Sequence, residues 1–335
     1  MTRPVAVVTG AAQGIGLEVS KRLATTHRVV LLDLSADALP EAAAQCGADA
    51  LHRACDITHA DQVADAVAWI VEETGGIDVL ISNAGVAFGG ALRHLDPDTL
   101  AAQLNVNLIG NWRVIHACLP HIEARRGYVM GVASASAIAP AIGLGPYGSS
   151  KAGLEMLLDI LRVEVAHLGV DVGVAYFLWI KTDMVEGADR DMAAFRTMRE
   201  AMAAPLRTTH PVGDAAQAIV DGVHARSRTV YAPKWLRYLS PARMVLRTRI
   251  GERDARAIAP ELDRLTAERV RDLGAFDAAT RDTAAAEAAA ESAAGVIGGE
   301  IRLGEGSPLH QLHRQHVAER ERDQRRGRRR EADRT

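Results

Sequence analysis

Short apolar runs without polar interruption recur along the first 230 residues. They lie at 5–8, 29–32, 79–81, 128–132, 170–177 and 229–231. Unbroken runs are typical of strands that are covered on both faces, as in a parallel sheet. Segments compatible with helices lie between them, at 14–26, 60–74, 98–125, 148–168 and 213–225. The alternation predicts a doubly wound α/β fold with helices on both faces of a parallel sheet and a ligand crevice at the carboxyl ends of the strands.

The pattern weakens after residue 250, which we take as the end of the main domain. Residues 252–273 have the spacing of one more amphipathic helix, which predicts a helical extension over 251–278. Residues 279–335 begin as an Ala-rich stretch and end as a mixed-charge tail with the basic run 325–330. Such composition offers little apolar surface to offset ordering entropy and predicts a disordered tail.

Composition excludes several classes of protein. A net charge of -3 gives no general attraction to nucleic acid. Cys46, Cys55 and Cys118 form no C-x-x-C pair and no disulfide framework, so we expect a reduced, cytoplasmic protein. The start of the chain resembles no signal peptide, and no uncharged apolar stretch reaches membrane-spanning length. The tail histidines at 310, 313 and 316 lack a fixed geometry, so we predict no metal site.

A glycine-rich turn follows the first predicted strand and precedes a predicted helix. Glycines there allow a tight turn and a close approach of the backbone to a pyrophosphate, while the helix N-terminus faces the anion. The turn alone is a weak signal, but its position between strand and helix strengthens it. We expect cofactor contacts from Gly10, Gln13, Gly14, Ile15 and Gly16.

Asp33 ends the second predicted strand. A carboxylate in that place accepts hydrogen bonds from both ribose hydroxyls of NAD and repels the 2′-phosphate of NADP. No Arg or Lys directly follows it, and position 13 is Gln rather than a basic residue. The sequence therefore predicts NAD, with NADP disfavoured. The alternative is that Asp33 merely caps the following turn.

Tyr147 and Lys151 are four residues apart, which places them on one face of a helix. A free phenol titrates near ~10 and is a poor base at neutral pH. A neighbouring ammonium, with a positively charged oxidised nicotinamide, favours the phenolate. The pair therefore suggests a proton-transferring tyrosine beside a bound dinucleotide.

These elements together resemble the short-chain dehydrogenase/reductase family over residues 5 to 232. The glycine turn is similar to its T-G-x-x-x-G-x-G fingerprint, and residues 82–85 to its N-A-G element. Asn107 matches its helix asparagine, and Ser134 stands 13 residues before Tyr147, where the family carries a serine. The resemblance implies a Rossmann-like sheet of about seven strands in a three-layer arrangement.

The resemblance also implies roles for single residues. Tyr147 would exchange a proton with the substrate oxygen, Ser134 would hydrogen-bond that oxygen, and Lys151 would bind the nicotinamide ribose and lower the phenol pKa. Asn107 would hold a water of the proton relay, or else be an ordinary polar helix residue. Asp56 would contact adenine, or else cap the helix that begins near residue 59. Further cofactor contacts are expected from Ile57, Asn83, Ala84 and Gly85.

The chain departs from the family after the sixth predicted strand. Phe177 and Leu178 stand where the family has Pro-Gly, so this backbone has neither proline's fixed φ nor glycine's freedom. We expect a differently shaped nicotinamide end of the site. Thr182 still matches the residue that contacts the carboxamide, and Ile180 offers its backbone.

Residues 184–210 are expected to form a substrate lid. Met184, Met192, Met198, Met202 and Phe195 suit the cover of a hydrophobic substrate or, equally, the packing of the lid helices themselves. Residues 233–250 mix aromatic, aliphatic and basic side chains. Burial against the fold is the simpler interpretation of that segment, and a membrane surface or subunit interface is the alternative.

The sequence thus predicts an NAD-dependent oxidoreductase that interconverts an alcohol, secondary and hydrophobic, with a ketone. The alternatives are an epimerase or dehydratase of the extended relatives, and a sensor or scaffold that binds NAD without turnover. Three residues rather than two separate the first two glycines, which disfavours the extended relatives. The resemblance also implies a homodimer or homotetramer that pairs through 98–125 and 148–168.

Overall fold

The computed structural model describes residues 3–274, whose centre is a parallel sheet. Nine strands occur in that range: β1 Val5–Thr9, β2 Arg28–Asp33, β3 Leu51–Ala54, β4 Val79–Ser82, β5 Tyr128–Val132, β6 Asp171–Phe177, β7 Trp179–Ile180, β8 Thr209–His210 and β9 Thr229–Ala232. Seven of them form one sheet in the order β3-β2-β1-β4-β5-β6-β9, and β7 pairs with β8. The predicted doubly wound α/β sheet is confirmed, with its strand order reversing between β1 and β4.

One strand of the main sheet, the edge strand β3, has no counterpart among the six apolar runs of the sequence. Its side chains alternate between half-buried and exposed, and it pairs with β2 alone. An edge strand is covered less completely than a central one, so it lacks the unbroken apolar run by which the other strands were found.

Helices connect the strands and cover both faces of the sheet. They are α1 Gly14–Leu23, α2 Leu39–Ala44, α3 Ala60–Thr74, α4 Pro97–Leu104, α5 Asn111–Arg125, α6 Ala135–Ile138, α7 Gly145–Val165, α8 Asp183–Asp191, α9 Ala193–Glu200, α10 Ala204–Arg207, α11 Val212–His224, α12 Arg243–Leu246 and α13 Arg253–Leu273. Short 3-10 helices lie at Leu92–His94, Ala166–Leu168 and Lys234–Tyr238. The segment 98–125, expected to be helical, is helical throughout, and a π-helical turn, Asn105–Gly110, lies between α4 and α5.

The core consists of two apolar layers, one on each side of the sheet. Helices α3, α5 and α7 bury residues such as Ile115 and Leu158 on one side. Helices α1, α2 and α11 bury residues such as Leu23 and Ile219 on the other. The outcome is the expected three-layer arrangement, which fixes the carboxyl ends of β1, β4 and β5 at one edge.

The last described helix, α13, packs onto part of the segment 184–210 that was expected to form a lid. Leu262 is buried in a cluster with Leu144, Met192, Phe195 and Met198. Residues 275–335, which include the end of the expected extension and the expected disordered tail, lie outside the described residues. Within 3–274, no helix has the length and apolarity needed to span a bilayer.

Candidate active site

The glycine turn joins β1 to α1 in a conformation that side chains would obstruct. Gly10 and Gly14 have φ of 63° and 57°, in the left-handed region that glycine adopts without cost. A Cβ on Gly16 would lie 2.1 Å from the carbonyl oxygen of Gly10. The backbone therefore comes close to the space in front of α1, with the first N–H groups of that helix facing it.

A cavity of about 250 Å³, here called the polar cavity, opens in front of this turn. Among its walls are most of the residues expected to bind a cofactor, namely Gly10, Gln13, Gly14, Ile15, Asp33, Asp56, Ile57, Asn83, Ala84, Gly85, Tyr147, Lys151 and Thr182. It is also lined by residues that no motif marked, including Leu34, Thr58, Val86, Val106, Val132, Asp183 and Met184. Two of the expected cofactor contacts, Gly16 and the buried β7 residue Ile180, are not part of the cavity wall.

Asp33 is held rigidly at the end of β2. One of its carboxylate oxygens accepts a hydrogen bond from the Ala12 N–H at 2.9 Å, and the other accepts one from the Ser35 N–H at 3.0 Å. The residue thus braces the glycine turn and its own loop. Each carboxylate oxygen has a second lone pair, so this bracing leaves acceptor capacity toward the cavity.

Asp56 and Asn83 organise the loops after β3 and β4. Asp56 accepts hydrogen bonds from the Thr58 N–H and hydroxyl at 2.8 and 2.7 Å. It does not cap α3, because His59 is the residue that precedes the helix. Asn83 donates to the carbonyl oxygens of Thr9 and Gly10 at 3.0 and 3.1 Å, which joins the ends of β4 and β1.

Tyr147 lies where the polar cavity meets a second cavity. This second space, the apolar cavity, has a volume of about 270 Å³, and Tyr147 lines both. Ser134, at the end of β5, lines the apolar cavity, accepts a hydrogen bond from the Ser136 N–H at 3.2 Å and is hydrogen-bonded to Tyr147. Burial raises the pKa of Tyr147, and the hydrogen bond to Ser134 opposes that rise.

Lys151 is buried one helical turn beyond Tyr147, with 3% of its surface exposed. Its Nζ donates to the carbonyl oxygen of Val132 at 2.8 Å and lies 5.9 Å from the centre of the Tyr147 ring. Burial lowers the pKa of Lys151 to about 8. We expected Lys151 to lower the pKa of Tyr147. The pKa of Tyr147 is raised instead, because the burial of its hydroxyl has the largest effect among the groups of the protein.

Asn107 occupies the π-helical turn and is fully buried. Its side-chain oxygen accepts from the Val86 N–H at 2.8 Å, and its side-chain N–H₂ donates to the Val86 carbonyl at 2.8 Å and to the Ser150 hydroxyl at 3.1 Å. The side chain therefore ties the loop after β4 to α7, beside Lys151. A π-turn within an α-helical stretch often marks a functional site.

Asn111 is a buried residue of this region that the sequence did not reveal. It accepts a hydrogen bond from the Ser82 hydroxyl at 2.5 Å. Its side-chain N–H₂ lies within hydrogen-bond distance of the carbonyl oxygens of Ala84, Val106 and Asn107, at 3.0, 3.2 and 3.1 Å. It fixes the π-turn to the end of β4, and an isolated Asn in a helical pattern carries no signal of such a role.

The walls of the apolar cavity come from segments distant in sequence. Phe177 and Leu178, the residues in place of Pro-Gly, belong to it, as do Met184, Phe195, Met198 and Met202 of the expected lid. Leu239, Leu246 and Ile258 complete it from the C-terminal side. Polar groups in the wall are few and include Ser134, Ser136 and Tyr147 at one end.

Arg199 connects α8 and α9 and was not singled out from the sequence. It pairs with Asp189 and donates to the Thr209 hydroxyl at 2.5 Å. Its guanidinium also lies over the rings of Trp179 and Phe195, at 5.2 and 5.8 Å from their centres. These contacts join α8 and α9 to the β7–β8 pair.

More than half of the chain resembles a known protein family. A family model described as short chain dehydrogenase matches residues 4–193. An uncharacterized oxidoreductase of Mycobacterium bovis is 34% identical over 187 residues, which is 54% of this chain and 75% of that protein.

Solved structures give the same fold. A short-chain dehydrogenase/reductase from Burkholderia phymatum, solved in complex with NAD, aligns with a TM-score of 0.64 at 21% identity and covers 76% of this chain and 95% of its own. A variant of the actinorhodin polyketide ketoreductase solved with NADPH aligns with a TM-score of 0.63 at 25% identity, over 69% of this chain and 97% of its own. The first of these structures is a complex with NAD and the second a complex with NADPH.

Proposed function

The chain belongs to the short-chain dehydrogenase family, and we propose that it is an NAD-dependent oxidoreductase that interconverts a hydrophobic secondary alcohol and a ketone. The observation that carries the proposal is the position of Tyr147, whose side chain lines both the polar and the apolar cavity. A group in that place reaches a dinucleotide on one side and a substrate on the other.

The polar cavity fits a dinucleotide, because its floor is backbone where a Cβ would collide. Gly10, Gly14 and the N-terminus of α1 would hold the pyrophosphate. Asp33 would accept the ribose hydroxyls, Asp56 and Ile57 would contact adenine, and Lys151 would bind the nicotinamide ribose. Thr182, which lines the cavity, would contact the carboxamide. When bound, the nicotinamide supplies the hydride acceptor or donor, and the protein supplies the proton path.

Tyr147 would take the proton of the alcohol hydroxyl during oxidation and return it to the ketone oxygen during reduction. Ser134 would donate a hydrogen bond to that oxygen as its charge changes. Burial raises the pKa of Tyr147, which suits its role as proton donor in the reduction. For its role as proton acceptor in the oxidation, the Lys151 ammonium and the oxidised nicotinamide must favour the phenolate. Asn107 would hold a water that connects Lys151 with solvent.

The substrate class follows from the lining of the apolar cavity. The wall consists largely of Met, Leu, Ile, Phe and Ala side chains, with Ser134 and Tyr147 at one end and Asp254 on the C-terminal side. Such a lining suits a carbonyl or hydroxyl carried on an apolar body. The hydroxyl end would lie against Ser134 and Tyr147, and the apolar part would extend toward Met198 and Ile258.

NAD is the proposed dinucleotide because the Asp33 carboxylate lies in the wall where a 2′-phosphate would come. Like charges at short range cost several kcal/mol, and about 1.4 kcal/mol already gives tenfold discrimination. We expect kcat/KM for NAD to exceed that for NADP by at least about tenfold.

A homodimer or homotetramer is also proposed. Met156, Ile160 and Val163 on α7 are 58%, 47% and 75% exposed, and Ile109 in the π-turn is 45% exposed. Exposed apolar side chains on adjacent helices are typical of a subunit interface.

The test is turnover of a panel of secondary alcohols of increasing apolar size, followed by the absorbance of the reduced nicotinamide with NAD and with NADP. We expect NAD-dependent turnover whose kcat/KM rises with the apolar size of the alcohol. Tight NAD binding with no turnover across the panel would contradict the proposal and indicate a sensor or scaffold. Conversion without net redox change would indicate an epimerase or dehydratase.

A further inference from the structure

Residues 233–250, here called the basic segment, follow the last strand of the sheet. We propose that the outer side of this segment binds the surface of an anionic lipid bilayer. The inference concerns a surface outside the polar cavity and does not depend on the proposed reaction.

The inner side of the basic segment is anchored to the fold. Leu236 is completely buried, and Arg243 pairs with Glu155 of α7 at 2.5 Å. The Tyr176 hydroxyl donates to the same Glu155 oxygen at 2.7 Å. Because Glu155 is buried, this pair fixes the direction in which the rest of the segment points. Burial against the fold therefore explains the inner side chains of the basic segment but not its outer ones.

The outer side carries large apolar side chains that the fold leaves in solvent. Tyr238, Met244, Val245 and Ile250 are 62%, 73%, 60% and 84% exposed. Four such residues within 13 positions are a concentration that exposed surface normally avoids unless it binds something. The exposed residues therefore require a partner with apolar character.

The charge of the segment decides which partner. Lys234, Arg237, Arg247 and Arg249 are exposed among these apolar residues, and positions 233–251 contain no Asp or Glu. The Arg237 guanidinium lies 4.7 Å from the centre of the Tyr238 ring, so cation and aromatic ring share one patch. Basic side chains interleaved with aromatic and aliphatic ones match an anionic headgroup layer above acyl chains. The whole chain has a net charge of -3, so this basic character is local.

The same segment borders the apolar cavity. Leu239 and Leu246 line that cavity, while their chain neighbours Tyr238 and Val245 are exposed. Contact with a bilayer through Tyr238 and Val245 therefore brings the C-terminal wall of the apolar cavity next to the lipid. An apolar ligand would then pass between bilayer and cavity along a short path.

The experiment is co-sedimentation of the full chain with vesicles of phosphatidylcholine, alone or mixed with phosphatidylglycerol. We expect binding to the mixed vesicles that weakens as salt is added. Arg237→Gln with Arg247→Gln and Arg249→Gln should lower the partition coefficient roughly 100-fold, since each cation near an anionic surface contributes about fivefold. Tyr238→Ser with Val245→Ser and Ile250→Ser should lower it at least about tenfold through lost apolar contact.

Two controls separate this surface from others. Arg125→Gln with Arg228→Gln and Arg271→Gln removes the same charge from exposed positions elsewhere and should leave binding unchanged. Glutamine at Arg325, Arg326, Arg328, Arg329 and Arg330 tests the basic run of the tail. Each variant is checked for NAD binding and for oligomeric state without vesicles.

Several results would overturn the proposal. The first two are equal binding to pure phosphatidylcholine vesicles and no sedimentation with either kind of vesicle. The third is loss of binding in the tail variant while the basic-segment variants still bind. The fourth is that the basic-segment variants lose an oligomeric state and keep their lipid binding. Loss confined to the basic-segment variants, with NAD binding intact, supports it.

Discussion

The two cavities that meet at Tyr147 are built in different ways. The polar cavity is bounded by backbone at the carboxyl ends of β1, β2 and β4, and its side chains, such as Asp33 and Asn83, are held by main-chain hydrogen bonds. The apolar cavity is bounded by side chains of α8, α9 and α13 and of the basic segment, which come from separate parts of the chain. The polar cavity is therefore formed by the ends of the sheet strands and their loops, whereas the apolar cavity is formed largely by helices and segments outside the sheet.

The difference separates recognition of the dinucleotide from recognition of the substrate. A backbone-lined site tolerates little change, because any Cβ in it fills space that a phosphate needs. A cavity lined by Met, Leu and Ala can change its shape one side chain at a time without disturbing the sheet. Substitutions in one region should therefore leave the function of the other intact.

Leu262→Ala tests the apolar side and has the largest expected effect on the free energy of unfolding. Leu262 is 2% exposed in the cluster with Phe195 and Met198, and truncation of a buried Leu costs about 2–5 kcal/mol. We expect looser packing of α13 on α9, a higher KM for apolar alcohols and an unchanged Kd for NAD. Urea denaturation and steady-state kinetics measure the two effects.

The matched control is Leu92→Ala, since Leu92 is 64% exposed and should tolerate truncation. An equal loss of NAD affinity in Leu262→Ala would show that the two cavities are not independent.

Lys151→Met tests the junction of the two regions. Burial lowers the pKa of Lys151 from its ordinary 10.5 to about 8. Between these values the unfolded chain holds a proton that the folded chain lacks, so this group makes the wild type more stable as pH rises from 8 to 10.5. Below pH 8 Lys151 is protonated in both the folded and the unfolded chain, so the burial of its charge destabilises the fold by the full amount.

The variant should therefore be inactive and yet more stable than the wild type at pH 7. The gain is at most about 3 kcal/mol, reduced by about 1 kcal/mol for the lost hydrogen bond to Val132. Urea unfolding of both proteins from pH 7 to 10 measures it, and the difference should shrink as pH rises. A difference independent of pH would show that the ammonium is not the source.

Gly16→Ala tests the polar side. The added Cβ would lie 2.1 Å from the Gly10 carbonyl oxygen, so the turn must move. A shift of about 1 Å in a binding geometry can cost 100-fold, and we expect kcat/KM for NAD to fall by about that factor. Gly213→Ala is the control, because its Cβ would meet the flexible end of Arg22 at 3.2 Å. Unchanged kinetics in Gly16→Ala would contradict the backbone-lined account.

The same contrast explains what the sequence revealed. The central strands, the glycine turn and Asp33 were predictable, because buried parallel strands read as apolar runs and the turn follows the first of them. The edge strand β3 was missed because it is half exposed. The π-turn at 105–110 and the contacts of Asn111 were missed because they depend on partners 20 or more residues away, such as Ser82 and Ala84.

The apolar cavity was predictable in composition but not in shape. The methionines of 184–210 suggested a cover for a hydrophobic ligand, and several do line the cavity. Nothing in the spacing indicated that α13 and the basic segment close its other side. Such walls arise from tertiary packing between distant segments, which local periodicity does not encode.

The most direct test of the account is the rate of hydride transfer in a single turnover by Tyr147→Phe, measured beside its Kd for NAD. General acid–base catalysis contributes about 10²–10⁴-fold, so we predict a fall of about 10³-fold in the rate with Kd unchanged. Tyr238→Phe, which removes an exposed hydroxyl outside both cavities, should keep the wild-type rate. If Tyr147→Phe transfers hydride as fast as the wild type, then the residue that joins the two cavities does not move the proton.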